Sequence, residues 1–155
     1  MSIPEKICFK PIGIVHVSVP DYVVKQALNG VRGEIEIFEE YVEGLEGIEE
    51  FSHIIVVAYL HKVPEEARHT LKVRPRGRSD MPLVGVFCTN SPHRPNPIAI
   101  TIVKLLKRKD RRLVVGGLDL FDGTIVLDIK PYTPRRVVRH AKYPEWVLKI
   151  LGNNQ

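Results

Sequence analysis

The stretch from Ile98 to Lys130, IAITIVKLLKRKDRRLVVGGLDLFDGTIVLDIK, decides how the chain is read. Apolar runs rich in β-branched residues occupy 98–106, 112–118 and 124–130, separated by a charged segment and by the turn pair Asp122-Gly123. Such short, turn-bounded runs read as strands. Leu127-Asp128-Ile129-Lys130 alternates in period two, which predicts one inward face and puts Asp128 and Lys130 together on the other, placed to form an ion pair. Working outward, similar runs lie at 7–17, 34–38, 53–61 and 83–88, and Glu34-Ile35-Glu36-Ile37 alternates as cleanly. Helical signals are fewer. Residues 39–50 predict one or two short turns, weakened by Gly44 and Gly47, and PEWVLKIL at 144–151 predicts a terminal helix with Pro144 in its first turn. Seven short strands with little helix between them do not suit alternating βαβ units. The expected class is all-β to α+β, a compact antiparallel β-barrel with a short C-terminal helix, forming one domain over 1–155.

The chain has 155 residues, 44% of them apolar and 26% charged, enough to bury a core without disulfides or structural metal. Two cysteines, Cys8 and Cys88, are too few for a disulfide framework and predict free, buried thiols in a reducing cytoplasm. The opening MSIPEKICFKPIGIV has no long apolar core with a small-residue cleavage site, and no run approaches a membrane span, so a cytoplasmic location is expected.

The net charge of +5 hides an asymmetry. Residues 1–60 carry four Lys/Arg against ten Asp/Glu, whereas 61–155 carry nineteen against eight. The bases come in three runs, 62–78, 104–112 and 135–142. This split predicts one basic surface suited to a polyanion such as RNA or to an acidic partner; solvated surface turns are the plainer alternative.

Nucleotide-cradling GxGxxG and GxxxxGK[ST] patterns are absent, as are HExxH, CxxC and GxSxG. His53 and His61 fall on one predicted strand, but no metal site is expected. The most unusual segment is CTNSPHRPNPI at 88–98, where Pro92, Pro95 and Pro97 stiffen the backbone and remove donors. It either presents Arg94 and Asn96 as part of a preorganised site or is a rigid connection in which Arg94 bonds nearby carbonyls. Asp122-Gly123 is by itself the commonest kind of hairpin turn.

The combination GVFCTNSPHRPNPIAITIVKL and GLDLFDGTIVLDIKPY, with GIEEFSHIIVVAYLH upstream, resembles the TsaA-like family, the tRNA methyltransferase O group, over roughly 10–134. That resemblance implies a β-barrel that binds S-adenosylmethionine, forms a homodimer with its site near the subunit contact, and methylates the exocyclic nitrogen of threonylcarbamoyl-adenosine in tRNA. Carried over by position, cofactor contacts fall at Lys25, Gln26, Leu60, His61, Asn90, Ile100, Leu120, Phe121, Asp122 and Gly123. Arg94 and Asn96 belong to the same stiff loop, and Lys130 and Tyr132 are expected to line an adjoining substrate cleft.

Three departures stand out: Asn90 where the family has Arg, Ala99 where it has Gly, and a chain that ends soon after DIKPY, where the bacterial enzymes carry a further domain. Loss of the arginine removes a bidentate donor and a charge. The target nitrogen is part of a urea-like group, so its proton must leave before or during attack. Asp122, Asp128 and His61 are the candidate acceptors, and positioning without a protein base is the alternative. A noncatalytic S-adenosylmethionine-binding or RNA-binding protein, or a methyltransferase for another substrate, remain the competing readings.

Overall fold

The computed structural model describes residues 1–152. Eight strands form: β1 (Gly13–His16), β2 (Val31–Ile37), β3 (His53–Tyr59), β4 (Lys72–Val73), β5 (Val84–Gly85), β6 (Ile98–Lys109), β7 (Arg112–Leu118) and β8 (Ile125–Pro131). Helices α1 (Asp21–Gln26) and α2 (Glu145–Leu151) are the two α-helical elements among the described residues. Six strands close a barrel in the order β1-β2-β7-β6-β3-β8, and β4 pairs only with β5. The expected antiparallel barrel and terminal helix are both present.

Where the sequence reading takes 1–155 as one domain, Cα packing groups the chain into two compact units. One joins Met1–His61 to Ala99–Tyr132 and holds the barrel; the other joins Lys62–Ile98 to Thr133–Gln155.

In the barrel unit, alternation does what period-two patterning requires. Val15 pairs with Ile35 and Ile35 with Leu113, so the three side chains share one inward row, and all are fully buried. Between them on β2, Glu34 and Glu36 face outward into ion pairs. On β8 the expected alternation is interrupted. A bulge at Val57/Ala58 pairs Ala58 with Val126 and Val56 with Ile129, so Val126 and Ile129 turn inward and Leu127 is the extra residue. Asp128 and Lys130 then share the outer face and form the expected pair, at 2.8 Å. A second bulge, between Leu105 and Lys107 on β6, sets Arg108 opposite the buried Leu113. From there its guanidinium donates to the Leu45 carbonyl and to Glu49, both at 3.0 Å, tying the 39–50 segment across that barrel end. That segment forms two 3-10 turns, Glu39–Leu45 and Ile48–Glu50, as its glycines suggested.

Several strand expectations need correction. Only Gly13–His16 of the run at 7–17 is strand; Ile7 and Phe9 are exposed and pair with nothing in the barrel. The run at 83–88 yields two strand residues before a 3-10 turn at Val86–Cys88, and it belongs to the second unit, not the barrel. Cys8 and Cys88 are free as expected, but exposed rather than buried. Helix α1 carried no periodic signal; Val24 is the one side chain it buries. Gly30, which follows it, has a φ of 70°, and a Cβ there would collide with the Gly117 and Leu118 backbone, so only glycine lets the chain enter β2 beside β7.

Candidate functional site

β7 and β8 are sequential but not neighbours, since β2 and β1 stand between them in the barrel. The segment at 119–124 is therefore a crossing over the barrel end and not the hairpin that Asp122-Gly123 suggested. Backbone bonds hold it down: Gly123 donates to the Val15 carbonyl at 2.8 Å and Val15 to the Thr124 carbonyl at 2.9 Å. Asp122 Oδ1 accepts the Val17 N–H at 2.9 Å, and the Thr124 hydroxyl donates to the Phe121 carbonyl at 2.7 Å. Leu120 drops into the core, 2% exposed.

Strand directions place other segments at the same end. α1 lies between the end of β1 and the start of β2, and Leu60-His61 follows the end of β3. Lys25 Nζ lies 5.8 Å from the Phe121 ring centroid, within cation–π range. Gly123, with φ of 79°, stands against His61: a Cβ built on it would sit 3.5 Å from Nε2. Lys25, Leu60, His61 and Leu120 to Gly123, widely separated in sequence, thus meet around one mouth of the barrel, with Gln26 beside Lys25 at the end of α1. The local surface is mixed: a cation at Lys25, the aromatic face of Phe121, the half-buried Leu60, and an imidazole.

Ile100 lies near the start of β6 and points outward, 72% exposed, while Thr101 and Val103 point in. Asn90, Arg94 and Asn96 belong to the second unit. There the 88–98 loop braces itself: the Arg94 guanidinium donates to the Thr89 carbonyl at 2.8 Å and the Ser91 carbonyl at 3.4 Å. The Thr89 hydroxyl donates to the Val86 carbonyl and accepts from the Ser91 N–H, and the Ser91 hydroxyl oxygen accepts from the His93 N–H. Arg94 thus bonds nearby carbonyls, the rigid-connection reading, while Asn90 and Asn96 are exposed.

Lys130 and Tyr132 lie at the opposite end of β8 from Gly123. Ile125 to Lys130 alone spans about 17 Å of strand. Lys130 and Asp128 instead line a separate cleft of about 640 Å³ floored by Ile12, Ile37 and Leu45 beside the 39–50 segment. Tyr132 packs edge-on against His53, with ring centroids 6.3 Å apart. Among the described residues no three His, Cys, Asp or Glu side chains group to hold a metal ion.

The three arginines of the basic run at 104–112 are committed within the barrel unit, while its three lysines enter none of these pairs. Arg108 pairs with Glu49, Arg111 with Glu36, and Arg112 with both Glu34 and Glu36. Glu36 also accepts from His16 Nε2 at 2.8 Å. The His16 hydrogen bond, followed by the fields of Arg111 and Arg112, holds its carboxyl below the usual range against a partial desolvation cost. These residues interlock β1, β2 and the β6–β7 turn; the sequence shows the arginines as a run and the glutamates far away, and only strand register brought them together.

Residues 20–136 match the model of the tRNA-methyltransferase O N-terminal domain. The chain belongs to that family. A Pyrococcus abyssi protein named for S-adenosyl-L-methionine binding is 40% identical over 155 residues, covering 96% of this chain and 80% of its own length. An Archaeoglobus fulgidus protein named S-adenosyl-L-methionine-binding protein is 41% identical, covering 81% of this chain and 88% of its own. A crystal structure of TrmO superposes with a TM-score of 0.71 at 34% identity, over 89% of this chain. The chain spans 63% of the length of that crystallised protein. In this tRNA-methyltransferase O domain, the segments that meet at the barrel mouth are those the sequence resemblance assigned to the cofactor.

Proposed function

We propose that this chain binds S-adenosylmethionine at the barrel mouth and transfers its methyl group to the N6 nitrogen of threonylcarbamoyl-adenosine in tRNA, as a cytoplasmic homodimer. The observation that carries this reading is the meeting of Lys25, His61 and the Leu120 to Gly123 crossing at one end of a family-typical barrel.

The residues present fit such a cofactor. Gly123 leaves open the space beside His61 that a Cβ would fill, Phe121 and Leu60 offer apolar surface to a nucleoside, and Lys25 offers a cation to a carboxylate. When bound, S-adenosylmethionine supplies an electrophilic methyl on a sulfonium. The protein's task is alignment and removal of the N6 proton. Of the three candidate acceptors, Asp122 already takes the Val17 N–H, and Asp128 is paired with Lys130 away from the mouth. His61 alone of the three stands at the mouth with no bonded partner among the described residues, which makes it the proton acceptor in this reading. The dimer is supported by the outer face of β6, where Ile98, Ile100, Ile102 and Leu106 form an exposed apolar stripe.

Labelled S-adenosylmethionine added with tRNA, with and without the threonylcarbamoyl group, tests the reading. Methyl transfer only to the modified tRNA is the expected result. Binding without turnover on any acceptor would favour a binding protein, and turnover only on other acceptors would move the substrate. Light scattering that gave a 17.6 kDa particle at high concentration would remove the dimer.

A further inference from the structure

The second unit carries twelve Lys/Arg against four Asp/Glu, a balance of +8, whereas the barrel unit carries eleven against fourteen. The barrel unit's arginines at 108, 111 and 112 are spent on its own carboxylates. In the second unit four of the bases fall together in the segment from Thr133 to Pro144. After a single 3-10 turn at Pro134–Arg136 it has no regular structure until α2, and its side chains from Arg135 to Tyr143 are exposed. Among the described residues no carboxylate pairs with Arg135, Arg136, Arg139 or Lys142. Arg78 of the same unit is different: it is held by Asp80 at 2.6 Å, which with the pair's field keeps the arginine's proton bound still more tightly.

A protein that leaves four neighbouring cations exposed and without a carboxylate partner on an irregular, solvated segment presents them to a ligand with repeating negative charge. Phosphates along a nucleic acid strand have that chemistry. The exposed rings of His140 and Tyr143 lie in the same stretch, and planar groups interleaved with arginines suit unpaired bases. We infer that residues 133–144 form an RNA-docking arm that holds the phosphate backbone through Arg135, Arg136, Arg139 and Lys142, and that the arginines of the 104–112 run serve the barrel instead. This rests on the methyltransferase reading for the identity of the RNA as tRNA, but not for the existence of the arm.

The test uses the full chain and purified bulk tRNA. Binding of the wild type should weaken steeply between about 50 and 200 mM salt, because each phosphate contact releases counterions. Arg135→Ala, Arg136→Ala and Arg139→Ala together should lower the slope of log affinity against log salt by about two to three units. S-adenosylmethionine binding by calorimetry and the melting temperature should stay unchanged. The triple Arg→Lys variant should restore most of the slope, since the charge and not the fork carries counterion release. An unchanged slope in the Ala variant overturns the arm while leaving the methyltransferase reading standing. Absence of tRNA binding by the wild type, with arm-dependent binding to polyglutamate or to anionic vesicles, also overturns it in favour of another partner. Arm-dependent tRNA binding by a protein that fails to bind S-adenosylmethionine keeps the arm and removes the methyltransferase reading.

Discussion

His61 and Gly123, 62 positions apart in the chain, share one contact at the barrel mouth: the space a Cβ on Gly123 would take lies 3.5 Å from His61 Nε2. A Cβ there would make only ordinary contact with the ring, but the left-handed backbone at Gly123 disfavours a side chain. Gly123→Ala should therefore lose about 1–2 kcal/mol of stability from backbone strain alone. It should also weaken S-adenosylmethionine binding at least tenfold by filling the space beside the imidazole that the cofactor would take. Thermal melts and calorimetry on the same preparation separate the two effects; unchanged affinity would move the cofactor away from His61.

Asp122 accepts the Val17 N–H. Asp122→Asn keeps a carbonyl oxygen for that bond and should retain most of the methyl-transfer rate. Asp122→Ala leaves the donor unanswered and should cost about 1–2 kcal/mol. A rate lost a thousandfold in the Asn variant with an unchanged melt would instead identify Asp122 as the proton acceptor in place of His61.

Glu36 gathers His16, Arg111 and Arg112 across three strands. Its carboxyl is held below the usual 4.5, first by the His16 hydrogen bond and then by the two arginines. A carboxyl depressed in the folded state releases its proton more readily there than in the unfolded chain. Its stabilising contribution is thus complete above about pH 4.5 and disappears as pH falls through the lower, folded value. Glu36→Gln should be less stable than wild type at pH 7 and converge toward it in acid. Denaturant melts from neutral to acidic pH check the sign; a difference that widened in acid would contradict it.

Arg94 braces the proline-rich loop by bonding the carbonyls of Thr89 and Ser91. Arg94→Ala should destabilise by about 1–2 kcal/mol, and Arg94→Lys, lacking the rigid fork, should recover only part of that. Faster amide exchange at Ser91 and His93 in the Ala variant, with the barrel's exchange unchanged, is the expected signature. Equal exchange in both proteins would mean that the prolines alone keep the loop rigid.

Alternation in Glu34-Ile35-Glu36-Ile37 and the short β-branched runs were enough to read a barrel, because burial on one face of a strand repeats every two residues and leaves that period in the sequence. The RPNPI and DIKPY segments likewise carry the family resemblance in the sequence itself. Bulges left no such mark. The ones at Leu127 and Leu106 are decided by which strand pairs with which, so the facing of Ile129 and the inward turn of Arg108 appear only in the closed sheet. The ends of elements followed the same rule: 7–11 and 87–88 are part of apolar runs, yet they lack a partner ladder and so do not extend one. Charge was legible as runs but not as pairs. Arg111 and Arg112 look like part of a polyanion-binding surface until register sets them beside Glu36, whereas Arg135 and Arg136 pair with no carboxylate among the described residues. The candidate mouth follows the same division. Sequence supplied His61, Lys25 and the 120–123 turn as separate positions; the order in which six strands close made them neighbours, and the same order carried Lys130 and Tyr132 to the far end of the barrel.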